Sequence, residues 1–119
     1  MRGISLNELK NKTIENFINK CKKIIEENPE NLKLIPRDKN IDSLYSMGLT
    51  PIDVEEIICN LTIDDYYRGP SPDHAEPEDD IWEFLVKYEE FVIYIKLKLK
   101  ETENNELVIC ISFHEAEYY

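Results

Sequence analysis

The chain has only two histidines, and one of them, His114, ends the strand-like run Leu107-Val108-Ile109-Cys110-Ile111-Ser112-Phe113-His114. A second run, Phe91-Val92-Ile93-Tyr94-Ile95-Lys96-Leu97-Lys98-Leu99-Lys100, precedes it across a short polar turn. Read with period two, this run puts Tyr94, Lys96, Lys98 and Lys100 on one face and Ile93, Ile95, Leu97 and Leu99 on the other. In an antiparallel hairpin the polar faces of the two runs are neighbours, which brings His114 beside Tyr94 and the lysines. An imidazole beside cations suits proton transfer at a phosphate, with lysine holding the charge that develops. The plainer reading is a surface histidine on a polar strand face. Alternation also predicts Ile109, Ile111 and Phe113 inward, with Cys110, Ser112 and His114 outward.

Other candidates lie upstream. Arg68 follows Tyr66 and Tyr67; an arginine there can dock a phosphate bidentately, and a tyrosine ring can stack on a base. The alternative has Arg68 closing the last carbonyls of its helix while Tyr66 packs in the core. Trp82 reads as a core anchor, so its neighbour Glu83 points the other way, toward the basic face. Asp73, His74, Glu76, Asp79 and Asp80 resemble a hard-cation set in composition, but their spacing matches no calcium loop and gives no zinc pattern. They read as a solvated acidic loop, and neither metal nor cofactor is expected.

These residues need elements to position them. Ser5 with Glu8 predicts a capping box opening a long helix, whose apolar stripe is Ile14, Phe17, Ile18, Cys21, Ile24 and Ile25 and which stops at Pro29. Lys20, Lys22 and Lys23 form a solvated face near its end. Leu32–Ile35 is a short extended piece. Asn40 or Asp42 is expected to cap a short helix ended by Gly48, and Thr50-Pro51 to open another with Ile52, Val54, Ile57, Ile58 and Leu61 in the core. Thr62 begins one more helical turn. Arg68–Pro77, with three prolines, is expected as a loop. Strands follow at about 81–88, 91–101 and 107–115 as an antiparallel meander. The fold class is α+β: N-terminal helices on a small antiparallel sheet of three or more strands. If Ile14, Phe17 and Ile18 pack on the Ile93/Ile95 side, the Lys96 side is free.

Composition narrows the class. With 119 residues and 42% hydrophobic content, a single globular domain over 1–119 is expected. The net charge of -11 argues against a general nucleic-acid coat protein, and binding to DNA by itself is not expected. The charge is uneven: residues 1–40 carry nine Lys/Arg against six Asp/Glu, and 41–119 carry five against nineteen. Cys21, Cys59 and Cys110 are odd in number, widely spaced and set in apolar patterns, which predicts buried reduced thiols. No run reaches membrane-spanning length, so a soluble cytoplasmic protein is expected.

Four blocks carry a resemblance. Leu61-Thr62-x-x-Asp65-Tyr66-Tyr67-Arg68, Ile81-Trp82, Val92-x-Tyr94-Ile95-Lys96-Leu97 and Ile111-Ser112-Phe113-His114-Glu115 resemble MqsR-family toxins over roughly residues 44–117. Residues 1–40 then read as an N-terminal helical extension to a core at 41–119. The resemblance implies a RelE-like fold and a bacterial mRNA interferase of a type II toxin–antitoxin system. It implies metal-independent cleavage, in which the 2′-hydroxyl attacks the adjacent phosphate to leave 2′,3′-cyclic phosphate and 5′-hydroxyl ends. Arg68 stands where the family has a catalytic lysine, Glu83 where it has a glutamine, and His114 where it has a second lysine; Tyr94 and Lys96 match the family's Tyr-x-Lys. The implied catalytic set is Arg68, Glu83, Tyr94, Lys96 and His114, with Tyr67, Lys98 and His74 as RNA contacts. Arg68 and Lys96 neutralise phosphate, Tyr94 and His114 are base and acid in either order, and Glu83 is an alternative base. The implied partners are mRNA, free or on the ribosome, and a cognate antitoxin. Two other classes fit the residues: a catalytically silent module for protein–protein interaction, and a regulatory protein recognised through its acidic segment 73–83 by a basic partner.

Overall fold

The computed structural model describes residues 3–117; residues 1–2 and 118–119, which the single-domain expectation includes, lie outside the described residues. Ser5 Oγ accepts the Glu8 N–H at 3.1 Å and opens α1 (Leu6–Glu27), forming the serine half of the expected capping box. Its buried residues are the predicted stripe, Ile14, Phe17, Ile18, Cys21, Ile24 and Ile25. After a single 3₁₀ turn (Pro29–Asn31), the chain forms β1 (Leu32–Leu34), then α2 (Asp38–Met47) and α3 (Pro51–Cys59). Gly48 adopts φ +69° and closes α2, a left-handed position where a Cβ would be strained. Thr50 and Asp53 form a complete capping box on α3, with Pro51 in its first turn. Val54, Ile57, Ile58 and Leu61 are buried as expected, but Ile52 is exposed.

Four antiparallel strands follow: β2 (Tyr66–Pro72), β3 (Asp80–Tyr88), β4 (Phe91–Glu101) and β5 (Glu106–Glu115). The sheet order is β1-β5-β4-β3-β2, with β1 added parallel to the outer side of β5. The sheet is therefore mixed, which the expected meander alone did not include. The segment from Arg68 to Pro72 is also an edge strand and not a loop. Prolines are tolerated there because an edge strand needs only one side of its hydrogen-bonding groups. At Gly69, φ is +121° and a Cβ would lie 2.6 Å from the Ile81 carbonyl oxygen, so only glycine lets β2 lie this close to β3.

One face of the sheet is the core. Ile93, Ile95, Leu97, Val108, Cys110 and Phe113 have no exposed surface and share one cluster with the α1 stripe. Phe17 stacks on Trp82 at 4.6 Å, a contact contributing roughly 0.5–1.5 kcal/mol beyond burial. The α1 helix thus takes the Ile93/Ile95 face and leaves the Lys96 face clear of it.

The alternation expected on β5 fails at one point. Leu97 pairs with Cys110 and Lys96 with Ser112, so Ile111 is an extra residue on β5. Before this bulge Val108 and Cys110 point inward, with Ile109 outward; after it Phe113 points inward, with Ser112 and His114 outward. Cys110 and Phe113 are three apart, and only an inserted residue lets both face the core. Asn40, fully buried, holds this bend: its Nδ2 donates to Ile35 O (2.9 Å) and Ile111 O (3.0 Å), and its Oδ1 accepts the Phe113 N–H (3.0 Å). That use explains why α2 starts at Asp38 with Arg37 as N-cap instead of at Asn40 or Asp42. Replacing Asn40 by alanine strips partners from a buried carbonyl and a buried N–H, so Asn40→Ala should lower stability by about 2–3 kcal/mol in urea unfolding. A loss within about 0.5 kcal/mol, as at an ordinary surface position, would show that the amide does not hold the bulge.

Candidate active site

Strand pairing brings all five expected catalytic residues to the open face. Arg68 on β2 lies opposite Glu83 on β3, Glu83 opposite Lys96 on β4, and Lys96 opposite Ser112 on β5. A parallel row, Leu85–Tyr94–His114, runs beside it. Because the five residues sit at outward positions of four neighbouring strands, the sheet itself sets the separations.

Glu83 is the hub. It is only 4% exposed; Arg68 Nε donates to its Oε2 at 2.7 Å, and Tyr94 Oη donates to its Oε1. Burial alone would raise the Glu83 pKa, but the Arg68 and Tyr94 hydrogen bonds outweigh it and hold the carboxyl below its ordinary range. Arg68 is correspondingly held above its ordinary value by the Glu83 hydrogen bond. The Tyr94 phenol is pushed well up, first by burial and then by its bond to Glu83, so it keeps its proton at neutral pH. The Tyr94 ring meets His114 at 5.2 Å between centroids. His114 Nδ1 lies 3.0 Å from Glu115 O. A carbonyl can only accept, so Nδ1 carries the proton and Nε2 of the neutral ring has a lone pair free.

The other predicted residues divide. Tyr67 is half exposed, with the Arg68 guanidinium 5.0 Å from its ring centre. It lines a cleft of about 220 Å³ with Arg68, Leu85, Tyr94, His114 and Lys39. His74 lines an adjoining cleft of about 320 Å³ with Arg68, Asp73, Ile81, Glu83, Lys96 and Ile111. Lys98 is different. Its Nζ is enclosed by Asp73 Oδ2 (2.7 Å), Glu76 Oε1 (3.0 Å) and Asp79 Oδ2 (3.0 Å), and its side chain is 7% exposed. Lys100 binds Glu76 (2.6 Å) and Asp79 (2.9 Å). The acidic segment is therefore a strap across two lysines, not a solvated loop, and it withdraws Lys98 from the surface on which RNA contact was expected. The row of cations stops at Lys96.

Asp73, Glu76 and Asp79 lie within 4.8 Å of one another and form the one carboxylate group of this kind among the described residues. An ammonium already fills it. Burial works against the Lys98 charge, yet the three carboxylates hold its pKa above the ordinary lysine range.

Two site residues escaped the sequence reading. Ser112 is 2% exposed, and Arg37 Nη1 donates to its Oγ at 3.3 Å from 75 positions away. The signal for Arg37 is absent locally, since it depends on α2 lying along the β5 edge. The thiols follow expectation in part: Cys21 and Cys110 are buried, Cys59 is half-buried, and all three are free. No helix among the described residues is long and apolar enough to cross a membrane.

The strap gives a pH prediction. Asp73 is held below the ordinary carboxylate range chiefly by Lys98, and Glu76 and Asp79 by Lys100 and then Lys98. Depressed carboxyl values stabilise fully above the ordinary pKa of about 4 and lose that stabilisation as pH falls through the lower folded values. The melting-temperature gap between wild type and Lys98→Met should be widest at pH 7 and shrink below about pH 4. A gap that does not change with pH would mean that the strap is held by packing and not by charge.

A family model described as Motility quorum-sensing regulator, toxin of MqsA, matches residues 18–115. The match begins inside α1, upstream of the blocks read from sequence, and takes in all five strands of the sheet. None of the curated proteins and none of the solved structures compared matches the chain. With most of its length matched, and with the outward residues of four strands gathered on one face, the chain belongs to the MqsR toxin family, the toxins of toxin–antitoxin systems whose partner is the antitoxin MqsA.

Proposed function

We propose that this toxin is an endoribonuclease that cleaves mRNA, free or on the ribosome, to 2′,3′-cyclic phosphate and 5′-hydroxyl ends. The observation that carries this reading is the connected path Arg68–Glu83–Tyr94–His114 on the sheet face that α1 leaves clear, with Lys96 beside it. Internal transesterification needs a base at the 2′-oxygen, positive charge around the phosphorane-like state, and an acid at the leaving 5′-oxygen. Side chains on this face supply each of these.

The proton states support one order of base and acid. Tyr94 keeps its proton at neutral pH and so cannot begin as the base. Glu83 is a weak base, with both oxygens engaged and its pKa depressed. That leaves His114: its Nε2 takes the 2′-hydroxyl proton while Nδ1 stays anchored on the Glu115 carbonyl. Tyr94 then passes its proton to the departing 5′-oxygen, an alkoxide far more basic than a phenolate. Arg68 and Lys96 hold the negative charge on the phosphoryl oxygens, and Glu83 fixes the Arg68 fork and orients the phenol. Tyr67, backed by the Arg68 guanidinium, offers a stacking surface for a neighbouring base.

The ion pairs on Lys98 and Lys100 favour a second reading, a catalytically silent module bound by its antitoxin, since they remove two cations from the same face. Incubation of the purified protein with mixed-sequence RNA in excess EDTA separates the two. Cyclic phosphate ends should appear with wild type and fall by about 10²–10⁴-fold with His114→Ala or Tyr94→Phe. Cleavage that survives His114→Ala would remove the histidine from the mechanism. RNA left intact by the wild type, both free and in a translating extract, would leave the silent module.

A further inference from the structure

The polar row on the site face does not end at Lys96. Across the sheet it runs Arg68, Glu83, Lys96, Ser112, and then Arg37, whose Nη1 donates to Ser112 Oγ at 3.3 Å. Glu83 spends its two oxygens on Arg68 and Tyr94. Among the described residues, neither Lys96 nor Arg37 has a carboxylate within 4.0 Å, whereas Lys98 and Lys100 on the same strand are tied by the acidic strap. Along this row the uncapped positive charge thus lies at Lys96 and Arg37.

Ser112 adds a directed donor. Its hydroxyl accepts from Arg37, and its own O–H proton meets no acceptor among the described residues, although the residue is 2% exposed. The arginine is held in place from behind. Arg37 N–H donates to Ile35 O (2.8 Å), its carbonyl accepts from Ile41 N–H (3.0 Å), and Asn40 fixes the first turn of α2 against Ile111 and Phe113. With its backbone fixed and one bond to Ser112, the exposed guanidinium keeps most of its fork for an external oxyanion.

Resting on the nuclease reading, we infer that Arg37 and Ser112 seat a second backbone phosphate of the RNA strand, further along from the one that reacts, with Lys96 between the two. Spacing separates this seat from Arg68. Arg68 is on β2 and Ser112 on β5, three inter-strand steps apart, or roughly 14 Å. One phosphate does not bridge that distance, whereas phosphates two positions apart on an extended strand do. The RNA backbone then crosses the strands along the row, passing His114 and Tyr94 on its way.

The test is fluorescence anisotropy with a short single-stranded 2′-O-methyl oligoribonucleotide, which has no attacking hydroxyl, over a range of salt concentrations. Each phosphate contact on a single strand contributes about 0.7 to the slope of log affinity against log salt. Arg37→Ala should weaken binding and reduce the slope by about 0.7, as should Arg68→Ala, and the double variant by about 1.4, because the two arginines serve different phosphates. Arg37→Gln, which retains a donor for Ser112, should lose the same slope with an unchanged melting temperature; it replaces the alanine variant if that one does not fold. A slope unchanged in both Arg37 variants, or a double variant no lower than either single one, overturns the seat while leaving the nuclease reading intact. A wild type that does not bind the oligonucleotide overturns the seat, and the nuclease reading then stands or falls on cleavage in the translating extract.

Discussion

The interaction on which the site depends is a side-chain amide imitating a piece of β-strand. β1 covers β5 only as far as Cys110. Beyond it Asn40 takes over, accepting from Phe113 and donating to Ile111 as a neighbouring backbone would. The second of those bonds is made to the carbonyl of the extra residue itself, Ile111. One residue of slip reverses the facing of everything after it. Without the bulge, a strand that keeps Val108 and Cys110 in the core would turn Ser112 and His114 toward the core as well, and Phe113 away from it. The core and the site therefore both depend on one buried polar residue, and a bulge beside a functional face is where such irregularities concentrate.

Charge organisation explains how an acidic chain presents a basic patch. The strand face carries three lysines in a row, and the protein spends its acid on two of them. Asp79 Oδ2 is shared by both, and Asp73 and Glu76 close the group. The strap is braced by its own backbone, with Asp73 N–H donating to Asp79 O and Asp79 N–H to Glu76 O. Lys96, one step along the strand, escapes because the nearest carboxylate, Glu83, is turned to Arg68 and Tyr94. Short-range pairing, not net charge, decides what the face offers a polyanion.

Much was legible before the fold. The α1 stripe, the Gly48 and Thr50 helix ends, the three long strands and the separation of Trp82 from Glu83 all follow from local periodicity and capping, which depend on neighbours a few residues away. The failures share a cause. The edge strand at Arg68–Pro72 reads as a loop because its prolines are compatible with pairing only when one side stays unpaired. Arg37 reads as an ordinary loop cation because its partner is 75 positions distant. The acidic segment reads as solvated because nothing local reveals the lysines beneath it.

By itself, the sequence determined which residues have opposite faces: Tyr94 and Lys96 against Ile93 and Ile95, Glu83 against Trp82. Alternation along a strand is a property of the backbone and needs no partner. Tertiary structure decided which of those residues meet. Register across four strands placed Arg68, Glu83, Lys96 and Ser112 in one row, the Asn40-held bulge turned His114 onto it, and the strap removed Lys98 and Lys100. Each of these is a long-range pairing, set by how distant segments fit against one core, and no spacing within a single segment encodes it.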